Sequence, residues 1–395
     1  MEVNVKAIVN ALIYEQQSFI DNSVILFDKT IQKILSRSEY DVLKQTHQIE
    51  EIDGKGKSVI PGFIDIHIHG ACGCDVMDGN YESIKKIADG VVRTGTTAFL
   101  ATTMTMSQER IDTALATTRD FIKQQTEKHD NNQAAGAQIL GVHLEGPFIN
   151  PIFKGAQSES HIQKPTDSWI RPNMDIVKMI TYAPEMDHNF EFAKALSGTD
   201  IVLSIGHSGG DFELALNAYN EGVRHVTHCF NAMTGLHHRK PGIVGAILTK
   251  PFTMDIISDG IHVHPGFIGA FIKQKGVDQT ILITDAMRAA LMPEGEYDLG
   301  GQKVFVKDNS CRLEDGTLAG SVLTTGQALK NMVEFSDLPL ASIIDMLTIN
   351  PAKLLKIDHS MGSLEVGKLS NMVLLDEANN ISSVYIKGIC HYGGK

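Results

Sequence analysis

Gly62-Phe63-Ile64-Asp65-Ile66-His67-Ile68-His69-Gly70 is an apolar run that ends in two histidines spaced two residues apart. Side chains on a strand alternate with a period of two, so strict alternation puts His67 and His69 on one side and Ile66 and Ile68 on the other. Two imidazoles on one face at the end of a buried strand suit a single cation. Taken alone, the same alternation also describes the wet face of an ordinary strand, and only the rest of the chain separates the two.

Seven more compact β-like runs follow: GTTAFLAT, QILGVHLE, VKMITYAP, IVLSIGHS, HVTHCFN, FTMDIISD and TILITDAM. Amphipathic stretches lie between several of them, at Tyr81 to Thr94, Gln108 to Gln125, Asp187 to Leu196 and Phe212 to Glu221. Eight β-α units in a segment of this length predict an α/β fold, a (β/α)8 TIM-like barrel, whose usual size is ~250 residues. A doubly wound open sheet is the alternative, and no dinucleotide-type glycine fingerprint supports it. Pro293 to Gly320 breaks the alternation and reads as a hairpin insertion after the eighth strand. Short β-like runs recur before about Val59 and after about Ala352, so both chain ends are expected to form one small β-sandwich domain. The expected division is 1–59 and 352–395 for that domain and 60–351 for the barrel.

Composition sets outer bounds. Of the 395 residues 43% are hydrophobic and 21% charged, and no apolar run approaches the ~20 residues that span a bilayer. The N-terminus has neither the basic start nor the small-residue cleavage site of a secretory signal, which points to the cytoplasm. A net charge of −12 argues against nucleic acid as a partner, and no membrane partner is expected. Five cysteines are too few and too irregular for a disulfide framework. Cys72-Gly-Cys74 is tighter than the usual zinc pairing of ~2 to 4 intervening residues, so reduced thiols are expected there.

On the predicted barrel the polar residues gather at the C-terminal strand ends, where such barrels build their sites. His67 and His69 end strand one, Glu145 strand three, His207 strand five, His228 strand six and Asp285 strand eight. Four imidazoles and a carboxylate suit a divalent transition metal in an open hydrolytic centre. Glu145 is placed to bridge two ions, one with His67 and His69 and the other with His207 and His228. A metal ion lowers the pKa of a bound water from about 15.7 toward ~7. Asp285 is then the proton carrier, able to take the proton of the attacking water and return it to a leaving nitrogen. Among the remaining histidines, His143 reads as a satisfied core residue, and His225, His237, His238 and His264 read as surface or loop residues.

The set HIHG, HLEGPF, GHS, THCFNAM, DGIH and TDAM, with an Arg eight residues after Asn231, resembles the amidohydrolase superfamily and within it the N-acetylglucosamine-6-phosphate deacetylases. The resemblance runs from about Gly62 to Gly320, and MGSLEVGKLSNMVLLD resembles the segment that returns such chains to their small β domain. It implies metal-dependent hydrolysis of the acetamide of N-acetylglucosamine 6-phosphate to glucosamine 6-phosphate and acetate in amino-sugar breakdown. It implies one or two ions of zinc, iron, manganese or cobalt per subunit, the HxH pair deciding between one and two. Carried over residue by residue, it places Ala156, Gln157, Asn231 and Ala232 against the sugar, where some members have His in place of Gln157. Arg239 and His262 fall on the 6-phosphate, and Leu318, Ala319 and Gly320 close over the ligand. Because the phosphate-contacting Arg of such enzymes can come from a neighbouring subunit, a homodimer is the expected assembly.

Overall fold

Strand Phe63–Ile68 opens a parallel sheet whose other members, in chain and spatial order, are Thr96–Thr103, Gln138–Glu145, Val177–Tyr182, Val202–Ile205, His225–Val226, Thr253–Ile257 and Thr280–Ile283. This is the computed structural model of the chain, and it describes residues 5–393. The outermost residues of the expected small β domain, 1–4 and 394–395, lie outside the described residues. The eight strands are the eight read from the sequence. They close into a barrel where Ile68 bridges Ala286 in parallel and the Asp285 amide donates to His67 O at 2.9 Å. Asp65 fastens the same seam. Its carboxylate accepts from the Thr284 hydroxyl at 2.6 Å and from the His67 amide at 3.2 Å, while burial pushes it up to about 7.

The alternation in strand one is not strict. The pairing of Phe63–Ile68 with Thr96–Thr103 shifts register between Asp65 and Ile68. As a result Ile66 joins Ile64, Ala98, Leu100, Met179, Ile257, Ile281 and Ile283 in a layer inside the barrel, whereas Ile68 packs with the apolar faces of the surrounding helices. The expectation that Ile66 and Ile68 share a face is therefore corrected. A bulge adds one residue to one strand and re-aims the side chains beyond it.

Each strand is followed by a helix. Tyr81–Val91 shows why: the Asn80 side chain accepts from the Ser83 amide, and Ile84, Ile87, Ala88 and Val91 fall on one buried face at helical spacing. Gln108–Asp130 runs further than its sequence pattern suggests. Glu191–Leu196 starts later than expected, after a kink where Asn189 and Phe190 take positive φ.

The insertion after strand eight is a three-stranded antiparallel sheet, Gly295–Leu299, Gln302–Lys307 and Ser310–Arg312. Its first turn is Gly300-Gly301 with φ of 61° and 84°, the left-handed pair that a two-residue hairpin requires. The chain ends meet as expected. Met372–Leu375 pairs antiparallel with Ser58–Pro61 and so joins the three C-terminal strands to Lys6–Glu15, Ser18–Phe27 and Ile31–Ser36 in one sheet.

Candidate active site

The C-terminal mouth of the barrel gathers six buried groups drawn from five strands. Glu145 Oε1 lies 3.0 Å from His228 Nε2, 3.1 Å from His207 Nε2 and 3.4 Å from His67 Nε2, and its Oε2 lies 3.3 Å from His69 Nε2. Asp285 Oδ1 stands 3.3 Å from His69 Nε2 and 3.5 Å from His67 Nε2. The imidazole nitrogens also face each other in pairs, His67 to His69 at 3.3 Å and His207 to His228 at 3.2 Å.

These donors fit metal ions. Two ligands of one tetrahedral zinc, each ~2.0 to 2.1 Å from it, stand about 3.3 Å apart, and the six groups meet at that spacing. Two imidazole lone pairs at such a distance repel unless a proton or a cation lies between them. His207 is set for the cation: its Nδ1 donates to Phe153 O at 2.9 Å, which leaves Nε2 with a free lone pair. The donors fall into two sets, His67 with His69 and Asp285, and Glu145 with His207 and His228. The sequence assigned Glu145 to both ions. The geometry keeps it within reach of all four histidines and adds Asp285 to the first set.

Charge follows the same logic. Burial alone would raise the Glu145 carboxyl, but His67, His207 and His228 outweigh it and hold it well below its ordinary value. Asp285 is likewise lowered against burial by His67 and His69. Burial works to lower the His67, His69 and His228 imidazoles and wins at His67. Hydrogen bonds and charge from Glu145 and Asp285 reverse it at His69, which is raised well above 6.5, and at His228, raised to about 9. Two ionised carboxylates thus demand positive charge in this pocket, from protons or from metal.

The cluster opens on a cavity of about 320 Å³. Of the residues expected against the ligand, Ala156, Gln157, Asn231, Ala232, His262, Leu318 and Gly320 line it, while Ala319 is buried behind them. His262 is fixed by Asp259, whose Oδ2 sits 2.6 Å from His262 Nδ1 and whose Oδ1 accepts from the His262 amide at 2.9 Å. Gly320 has φ of 63°, and a Cβ there would come within 3.1 Å of Asp285 O. Gln157 has both ends of its amide committed. Oε1 accepts from the Thr105 amide at 2.7 Å, and Nε2 donates to Glu145 Oε2.

Arg239, expected on the phosphate of its own or a neighbouring subunit's site, does not line this cavity; it lies on the exposed run 235–240, with Nη1 2.8 Å from His238 Nε2. One sequence expectation changes. His225, expected at the surface, is fully buried and pairs with Asp255, because Thr253–Ile257 brings that carboxylate against it. His143 is the satisfied core histidine it reads as. Its Nδ1 donates to Ile66 O at 3.0 Å, its Nε2 meets Thr181 Oγ1 at 2.7 Å, and its ring stands edge-on to His67. His237, His238 and His264 are exposed. Sequence reasoning missed the apolar walls Met104, Ile152, Phe153 and Leu299. The insertion was the available signal for Leu299, since a hairpin placed after the last strand returns over the barrel mouth.

The amidohydrolase family profile matches residues 58–390. N-acetylglucosamine-6-phosphate deacetylase of Bacillus subtilis (strain 168) is 38% identical over 333 residues, 82% of this chain and 83% of that protein. N-acetylgalactosamine-6-phosphate deacetylase of Escherichia coli O157:H7 is 35% identical over 83% of this chain and 86% of its own. The crystal structure of N-acetylglucosamine-6-phosphate deacetylase from Pasteurella multocida superposes with a TM-score of 0.88 at 30% identity, covering 97% of this chain and 98% of that one. With a closed eight-stranded barrel, two sets of His and carboxylate donors at its C-terminal mouth, and a profile match that spans every strand of that barrel, the chain belongs to the amidohydrolase family.

Proposed function

We propose that the chain hydrolyses the acetamide of N-acetyl-D-glucosamine 6-phosphate to D-glucosamine 6-phosphate and acetate. The observation that carries this reading is the six-group cluster at the base of a cavity that also holds Asn231 and His262, in a chain similar along most of its length to deacetylases of amino-sugar phosphates.

His67, His69 and Asp285 on one side and Glu145, His207 and His228 on the other are the groups that hold one or two divalent transition ions. When bound, such an ion polarises the amide carbonyl and acidifies a water. Asp285, ionised at neutral pH and lining the cavity, takes a proton from the attacking water as the oxygen–carbon bond forms. It gives that proton to the amide nitrogen as the C–N bond breaks, so the amine leaves neutral and the acetic acid released gives its remaining proton to solvent as it becomes acetate. Asn231 and the Ala232 backbone orient the sugar, and His262, steadied by Asp259, meets the phosphate. Met104, Phe153, Leu299 and Leu318 exclude water around them.

The position of Arg239 bears on assembly. Its guanidinium lies outside its own cavity on an exposed segment, which supports its use in the site of a neighbouring subunit and so a homodimer. All five cysteines are free thiols, and among the described residues no helix is long and apolar enough to cross a membrane. The thiols suit a reducing compartment, and the proposed location is the cytoplasm.

Acetate release from N-acetylglucosamine 6-phosphate, compared with the unphosphorylated sugar, tests the reading. The expected kcat/KM is on the order of 10²-fold higher for the phosphate, since one set of charge-assisted hydrogen bonds is worth about 1.5–3 kcal/mol. Equal rates on the two sugars would point to a different amide substrate. The galactosamine epimer belongs in the same assay, because a relative at 35% identity carries that name.

A further inference from the structure

His207 and His228 reach the same carboxylate oxygen but are held by different means. The His207 ring is anchored through Nδ1 to Phe153 O. The His228 ring has no such anchor: its Nδ1 is buried with no hydrogen-bond partner. The orientation of His228 must therefore come from its backbone, and that backbone is unusual. Strand six is only His225–Val226, and His228 lies beyond it with φ of 33°, a left-handed conformation uncommon for any residue but glycine.

Strand seven supplies what the short strand lacks. Asp255 O accepts from the Cys229 amide at 2.9 Å, and Asp255 Oδ1 accepts directly from the His228 amide. The carboxylate is itself completely buried, and its other oxygen meets His225 Nε2 at 3.0 Å. His225 Nδ1 is in turn 2.7 Å from Thr253 Oγ1, so the ring is fixed at both nitrogens. A buried carboxylate without a partner is costly, and His225 offsets that cost. The sequence Thr253, His225, Asp255, His228 amide thus forms one hydrogen-bonded line from the barrel wall to the metal donors.

We infer that Asp255, held by His225, is the positioning residue that sets His228 for metal binding. The inference rests on the proposed role of His228 as a metal donor and adds to it a residue that touches neither substrate nor ion. Outer partners of this kind typically govern 10- to 100-fold in metal affinity.

The test is the affinity of the metal-stripped protein for Zn²⁺, measured against a competing chelator, together with kcat and KM at saturating Zn²⁺. Asp255→Ala is expected to weaken Zn²⁺ binding by about 10- to 100-fold and to lower kcat with little change in KM. Asp255→Asn, which keeps an oxygen for the His228 amide, is expected to recover most of both. If Asp255→Ala does not fold, Asp255→Ser takes its place: it keeps a hydroxyl in the buried site, but its oxygen stands one bond nearer the backbone than the carboxylate oxygens that bind the His228 amide and His225, and the same loss is expected. Parent-like Zn²⁺ affinity in a folded Asp255→Ala or Asp255→Ser protein would overturn the inference. Failure of both to fold would overturn it too, since Asp255 would then act on the fold alone. Absence of Zn²⁺ binding by the parent chain would instead overturn the functional reading beneath it.

Discussion

Asp285→Asn is expected to lower kcat for acetate release by about 10²- to 10⁴-fold, the range removed with a general acid–base group, while the ion held by Glu145, His207 and His228 stays bound. Asp285 ends strand eight, faces the cavity and stands 3.3 to 3.5 Å from His69 and His67. Its carboxyl is held low by those two imidazoles, so it is available to accept a proton at neutral pH. Asn keeps the shape and an oxygen but cannot carry a proton. Substrate binding depends on other residues, so KM should move little and the loss should sit in kcat. Metal analysis alongside kinetics separates the roles: turnover near the parent value in a metal-loaded variant would remove Asp285 from proton transfer.

Glu145→Gln should do more, because it removes metal and turnover together. The Glu145 carboxylate is the one group within 3.0 to 3.4 Å of all four imidazoles. Its charge offsets the mutual repulsion of nitrogens that face each other at 3.2 and 3.3 Å. A neutral amide at that point supplies one weak oxygen and turns an N–H toward a donor, so a fall in activity on the order of 10³-fold or more is expected. Metal content should fall with it, measured on protein prepared without added metal. Full metal content in Glu145→Gln would mean that the two donor sets do not depend on their shared carboxylate. The contrast with Asp285→Asn is the useful part, since one variant spares metal and the other does not.

Much of this was legible in the sequence. The eight barrel strands stand out because buried parallel strands are runs of β-branched and apolar residues, and five of them lead into His, Glu or Asp at the mouth. The parts that were not legible depend on long-range geometry. The register shift between Asp65 and Ile68 is a property of two paired strands, so Phe63–Ile68 alone reads as strict alternation. HVTHCFN reads as a full strand. Only His225–Val226 pairs as one, and the rest turns through positive φ at His228, Phe230 and Ala232 to bring His228 to the histidine–carboxylate cluster and Asn231 and Ala232 to the cavity.

Met104, Ile152, Phe153 and Leu299 look like core residues in sequence, because an apolar side chain carries no mark of whether it faces a helix or a ligand. Asp255 was the missed signal with physical content. A carboxylate in the middle of FTMDIISD is costly to bury unless it has a partner, and the partner was His225, thirty residues earlier. Gln157, expected against the sugar, lines the cavity, and its amide faces Glu145 and the Thr105 backbone at once. No sequence pattern specifies that double engagement.

If the two sets of His and carboxylate donors hold the metal of an amino-sugar-phosphate deacetylase, activity must follow the metal. Acetate release from N-acetylglucosamine 6-phosphate is measured on one preparation in three states: as purified, after chelator treatment, and after a divalent transition metal is returned. Activity that disappears with the metal and comes back with it is the expected result. Acetate release unchanged by complete metal removal, or none at any stage from folded, metal-loaded protein, would rule out a metal-dependent deacetylase.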